Sequence, residues 1–102
     1  MGMQTDVKAT KPLTSSGDFK DQNDNTVGPC RVKGIYTINA AAAGSVVLRD
    51  GASDGPVLWD LATPTQASLG ALYIELPGEG IRAETSLYGV VTDTTSVVVV
   101  YG

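Results

Sequence analysis

The last segment of the chain, residues 96–102 (Ser-Val-Val-Val-Val-Tyr-Gly), is apolar on both sides. β-branched side chains lose freedom in a helix and fit a pleated sheet well, so this run predicts a strand. Because successive strand side chains point to opposite faces, Val98 and Val100 lie on one face and their neighbours on the other. We expect the domain's own core to cover one face, and a second sheet, the N-terminal segment or a neighbouring subunit to cover the other.

Six further segments alternate apolar and polar positions and are separated by turn residues, which is typical of half-buried strands. They are residues 30–38, 45–50, 57–61, 69–76, 81–84 and 87–92. The turn at 50–56 predicts a hairpin between the second and third of these segments. About seven short strands without a long helix predict an all-β fold, an antiparallel β-sandwich or jelly-roll-like barrel.

The same alternation predicts which strand side chains face the core. They are Val32, Tyr36, Ile38, Val46, Leu48, Trp59, Leu72, Ile74 and Leu76, with Trp59 the largest. Tyr73 and Tyr88 fall on outward positions. Residues 76–79 (Leu-Pro-Gly-Glu) fit a type II turn, in which Pro77 presets one dihedral angle and Gly78 accepts a positive φ.

Residues 1–27 are polar and mixed in charge, and they show no sustained helical or strand periodicity. Such a segment cannot bury enough apolar surface to offset its ordering entropy by itself. We therefore predict an extended N-terminal arm ahead of a β-sandwich domain at residues 28–102, with Val7, Leu13 and Phe19 as its contacts to a partner. Removal of the arm is expected to leave a folded domain. The alternative is a tail without fixed contacts.

The charge balance and the cysteine count exclude several classes of function. Seven basic and eleven acidic residues give a net charge of −4, which argues against direct nucleic-acid binding, because phosphate contacts depend on Lys and Arg. The single cysteine, Cys30, excludes an internal disulfide and a cysteine-clustered zinc site. The sequence has no apolar run long enough for a membrane span and no apolar signal core, so we expect a soluble protein without a membrane partner.

The residues available for catalysis are few, because the chain contains no histidine. This absence removes the commonest general base and the usual partner of a Ser or Cys nucleophile. Asp50, Asp54 and Asp60 surround the first hairpin, but Ala52 and Leu61 occupy positions where an EF-hand loop needs oxygen ligands. We therefore expect turn-forming aspartates and no bound metal.

Three glutamates offer the remaining route to acid/base chemistry, since two carboxylates suffice for glycoside cleavage. Nothing in the pattern fixes the separation of Glu75, Glu79 and Glu84, and strand alternation points the first and last outward. We expect them to be solvated surface groups, and we predict neither an enzyme nor a cofactor. The outward tyrosines 73 and 88 leave carbohydrate or receptor binding open as an alternative.

Residues 32–102 resemble a loose group of small virion proteins of tailed bacteriophages. The resemblance is carried by the phrases at 33–36 (Lys-Gly-Ile-Tyr), 44–51 (Gly-Ser-Val-Val-Leu-Arg-Asp-Gly), 55–58 (Gly-Pro-Val-Leu), 76–82 (Leu-Pro-Gly-Glu-Gly-Ile-Arg) and 96–102. It implies a β-sandwich structural protein present in many copies on the phage capsid surface, such as a capsid cement or decoration protein. The major capsid protein would be its partner.

Self-association, as a trimer or another homo-oligomer, would cover the outer face of the terminal strand. Tyr73, Tyr88, Val98 and Val100 are the predicted interface residues. A tail, neck or head-fibre component would share the same fold and is an alternative, as is a receptor- or glycan-binding module.

Overall fold

Two antiparallel sheets contain all nine strands found in the part of the chain that the computed structural model describes, which is residues 8–76, 78 and 80–102. The strands are β1 (Lys8–Ala9), β2 (Gly17–Asp18), β3 (Cys30–Asn39), β4 (Gly44–Asp50), β5 (Val57–Thr63), β6 (Ala71–Glu75), β7 (Ile81–Ala83), β8 (Leu87–Thr92) and β9 (Thr94–Tyr101). The described residues include no helix. The prediction of an all-β sandwich is confirmed.

Sheet A has the strand order β1-β9-β3-β6, with β7 also pairing with β3, and sheet B has the order β2-β8-β4-β5. The seven strands predicted from alternation correspond to β3–β9. The count is nine rather than seven because residues 8–18 supply two short strands. One of these extends sheet A and the other extends sheet B.

The core lies between the two sheets. Its fully buried apolar side chains include Val46 and Leu48 of β4 and Val97 and Val99 of β9, as the alternation predicted. Full burial of one such side chain contributes roughly 1.5–3 kcal/mol. Trp59, predicted as the largest core residue, is only partly buried on β5, an edge strand. The largest fully buried side chain is Phe19.

Strand β3 contains an irregularity that changes which of its side chains face the core. The pairing of β3 with β9 shifts register between Val32 and Gly34. An extra residue in one strand reverses the alternation beyond it. Val32 is therefore buried as predicted, whereas Tyr36 and Ile38 are 39% and 38% exposed. The prediction of an inward Tyr36 and Ile38 is wrong, and Ile35 and Thr37 occupy the core instead.

The segment between β6 and β7 does not reverse the chain, because both strands pair antiparallel with β3. Residues 77 and 79 of the predicted type II turn lie outside the described residues. Gly78 and Gly80 have φ values of 66° and 77°, a region that glycine adopts without steric cost. The two strands thus form one interrupted edge of sheet A.

The chain crosses from sheet B to sheet A through a single residue. Strand β8 ends at Thr92 and β9 begins at Thr94. Asp93 between them has a φ of 46°, which Asp tolerates better than most residues. The connection between the predicted strands at 87–92 and 96–102 is therefore shorter than expected, and the valine-rich strand starts two residues earlier.

Candidate functional site

One face of sheet A carries a row of apolar side chains and is covered by no described strand. Glu75 and Ser96 lie on the same face. We call it outer face A and define it by Tyr36, Ile38, Tyr73, Val98 and Val100. Tyr36 pairs directly with Tyr73 on one side and with Val98 on the other, so these three side chains form a row across the sheet. Tyr73 is 53% exposed, and Val98 and Val100 are half-buried. An exposed row of this kind is typical of a surface that another protein covers.

A glycine within β3 shapes this face. A Cβ at position 34 would lie 3.3 Å from the hydroxyl oxygen of Tyr73 and 3.1 Å from the backbone oxygen of Ile74. The Tyr73 ring therefore lies across the backbone of Gly34, in the space that a side chain there would occupy. This packing holds the tyrosine ring close to the sheet.

The four predicted interface residues do not share one surface. Tyr73, Val98 and Val100 lie on outer face A, as strand alternation predicted. Tyr88 lies on β8 of sheet B, where it pairs with Arg49 and Asp18. Sequence reasoning missed Tyr36 and Ile38 for this surface. The available signal was Gly34, because a glycine inside a strand often marks a bulge.

The predicted arm residues pack on their own domain. Strand β1 pairs with β9, and β2 pairs with β8. Leu13 exchanges backbone hydrogen bonds of 2.8 and 3.0 Å with Val97, and its side chain packs against the core. Residues 8–18 thus cover the outer strand of each sheet along one side of the sandwich, which removes the exposed edges that strands β8 and β9 would otherwise present.

Phe19 has no surface to offer a partner in this structure. Its side chain is 0% exposed. Its backbone N–H donates to the oxygen of Leu87 at 3.1 Å, and its own oxygen accepts from the N–H of Val27 at 3.0 Å. We expected Phe19 to anchor an arm on another protein. In the structure it belongs to the core of its own domain. Val7 lies outside the described residues.

Asp50, one of the three aspartates near the first hairpin, has a structural role. Its carboxylate accepts hydrogen bonds from the backbone N–H groups of Glu84, Thr85 and Ser86 at 3.0, 2.9 and 3.3 Å. These bonds favour the charged form and hold the pKa of the Asp50 carboxyl below its ordinary value. The aspartate therefore fixes the turn between β7 and β8.

The remaining candidate chemical groups are the other carboxylates and the Cys30 thiol. Among the described residues no three His, Cys, Asp or Glu side chains gather as a metal site. Burial, with a smaller contribution from Asp50, raises the pKa of the Cys30 thiol to about 11. The thiol is therefore protonated at neutral pH and a weak nucleophile. The buried Asn39 is hydrogen-bonded to Thr37 and to the backbone oxygen of Leu69.

Comparisons with known proteins assign no family and no function to this chain. No protein-family model, no curated protein and no solved structure matches this chain. Among the residues described, no helix is long and apolar enough to cross a membrane.

Proposed function

We propose that this chain is a structural protein that works by docking outer face A on other protein subunits. The observation that carries the proposal is the exposed apolar row on sheet A, where Tyr36, Ile38 and Tyr73 are 39%, 38% and 53% exposed. Exposed aromatic side chains with few internal degrees of freedom are frequent anchors of protein interfaces. The setting we propose is the phage capsid surface, with the protein acting as a cement or decoration protein.

The resemblance of residues 32–102 to small virion proteins supports the virion setting. The exposed apolar side chains of outer face A support docking on other subunits as the mode of action. The proposed partners are the major capsid protein and further copies of this chain, as a trimer or another homo-oligomer. Covering the exposed parts of the three large side chains contributes about 3 kcal/mol, if full burial of each contributes about 2 kcal/mol. One contact of this size is weak, but many copies on a lattice act together.

The N-terminal arm is not part of the proposed docking surface, whereas Tyr73, Val98 and Val100, three of the four predicted interface residues, lie on it. Residues 8–27 pair with strands of their own domain, so the proposal no longer depends on an arm that reaches across subunits. Outer face A remains available as the contact surface, and β9 supplies its centre through Val98 and Val100.

The test uses phage particles that lack the protein. Purified wild-type protein is expected to bind them and restore their resistance to heat or pressure. The double variant Ile38→Ser/Tyr73→Ser is expected to stay folded, because both side chains are exposed, yet to lose binding. Val57→Ser is the matched control, since Val57 is 51% exposed on sheet B. Equal binding by wild type and the double variant would refute the proposed surface.

A glycan-binding module is the second candidate. The adjacent exposed rings of Tyr36 and Tyr73 favour it, because a sugar ring can stack on an aromatic face. Nuclear magnetic resonance (NMR) titration of the isolated protein with monosaccharides separates the two functions. Shifts confined to β3 and β6 would support glycan binding.

A tail, neck or head-fibre location is distinguished from the head by antibody labelling of particles.

A further inference from the structure

A basic cleft lies at one end of sheet A. It has a volume of about 550 Å³, and its lining includes Arg31, Lys33 and Arg82, three of the seven basic residues of the chain. No Asp or Glu among the described residues lines it. The concentration of positive charge is notable in a protein whose net charge is −4.

The pairing of β3 with β7 forces two of these charges together. Arg31 and Arg82 are direct partners in the register, and like charges opposite each other on neighbouring strands destabilise a sheet. The side chains of Lys33 and Arg82 have no hydrogen-bond or ion-pair partner among the described residues. Arg31 already has an interaction partner and adds its charge to the cleft. An anion held between these groups would offset their repulsion.

The cleft is continuous with outer face A. Arg31 and Arg82 alternate with the inward pair Val32 and Ile81, so they point to the outer side of sheet A. The neighbouring outward position on β3 is Gly34, which pairs with Val100 on one side and with Glu75 on the other. A protein that covers outer face A therefore reaches the basic residues at its end.

We propose that this cleft binds carboxylate groups of an acidic protein partner. The inference rests on the proposed function, because it names the chemistry of the partner that covers outer face A. Arg donates two parallel hydrogen bonds to a carboxylate, and Lys adds a point charge. The apolar row supplies contact area, and the cleft selects a partner with Asp or Glu at the matching position.

The test measures binding of a hexaglutamate peptide to the isolated protein by NMR titration at low salt. The peptide is expected to shift the backbone signals of residues 30–34 and 81–83. The double variant Lys33→Gln/Arg82→Gln is expected to bind at least about tenfold more weakly, since bonds to charged groups are lost. The control is Lys20→Gln, which removes one positive charge outside the cleft lining. It is expected to bind the peptide like wild type.

Unchanged peptide binding by the double variant would overturn the inference. Tighter binding to a DNA duplex or to heparin than to the peptide would overturn the assignment to carboxylates. The double variant loses the like-charge partner of Arg31, so its melting temperature is expected to stay equal or rise, which verifies that it is folded. Ile38→Ser/Tyr73→Ser is expected to keep peptide binding while losing particle binding, so failure of the cleft and failure of the docking face are distinguishable.

Discussion

Replacing Phe19 with alanine distinguishes an arm that serves a partner from a segment that completes its own domain. The side chain is fully buried in the core of the isolated chain. A Cβ at Gly89 would lie 2.7 Å from Cε2 of Phe19 and 2.8 Å from Cδ2 of Leu13, so both side chains press against β8 where it has no side chain of its own. Truncation would leave a cavity that the rigid sheet cannot fill.

The expected loss of unfolding free energy for Phe19→Ala is about 3–5 kcal/mol, the usual range for a buried phenylalanine. A domain of this kind has a total stability of about 5–15 kcal/mol. The loss is therefore a large share of the whole. With a urea slope of about 1–3 kcal/mol per M, it corresponds to an unfolding midpoint lower by roughly 1–5 M.

The assay is urea unfolding of the isolated protein, followed by the fluorescence of its one tryptophan, Trp59, and by circular dichroism. Thr14→Ala is the control, because Thr14 is exposed in the same segment and should change stability by less than about 0.5 kcal/mol. If Phe19→Ala unfolds at the wild-type urea concentration, the segment does not belong to the core.

Deletion of residues 1–27 extends the same argument. The deletion removes Phe19 and Val27 from the core and uncovers the outer strands of both sheets. The sequence alone predicted that residues 28–102 fold without the arm. From the structure we expect the shortened chain to be unfolded or aggregated, as measured by circular dichroism and size-exclusion chromatography.

Three further changes test local features. Gly89→Ala should lower the free energy of unfolding by about 1–3 kcal/mol, because the added methyl group overpacks against Phe19. Gly17→Ala is its control, since Gly17 pairs with Gly89 and a Cβ added there would have nothing within 4 Å. It should be nearly neutral in urea unfolding. Because the pKa of Asp50 is lowered in the folded state, its contribution to stability is present above pH 3.8, its ordinary pKa, and is lost as the pH falls through the folded value. Acid unfolding of Asp50→Asn should lack this loss of stability. Identical acid-unfolding profiles for wild type and Asp50→Asn would contradict the stabilising role of the carboxylate. With a pKa of about 11 against 9.0 for an ordinary thiol, Cys30 should react with iodoacetamide at pH 8 about a hundredfold more slowly than a free cysteine, and a reactivity midpoint near pH 9 would contradict the burial argument.

Strand positions could be predicted because their signal is local. Alternation and turn residues located β3–β9, and they placed Val46, Leu48, Val97 and Val99 in the core. The register of β3 could not be predicted in the same way, because one bulged residue reverses every later side chain. The error at Tyr36 has this single cause.

The role of residues 8–27 could not be predicted because it depends on distant strands. The N–H of Val91 donates to the hydroxyl of Ser16 across 75 positions, and the N–H of Val99 donates to Thr10 across 89. Strands of two residues carry no periodicity. Likewise, alternation placed Tyr73 and Tyr88 outward, but it carries no information on which sheet each belongs to.

The position of β9 has a consequence for folding. This strand follows the other eight described strands in the sequence, yet it lies between β1 and β3 in sheet A. Contacts between residues so far apart in sequence form slowly, since a long loop must close before they are gained. The centre of sheet A therefore cannot be completed until β9 has paired with β3. Until that pairing forms, the apolar side chains of β3 are uncovered, and a partly folded chain in this state is open to aggregation.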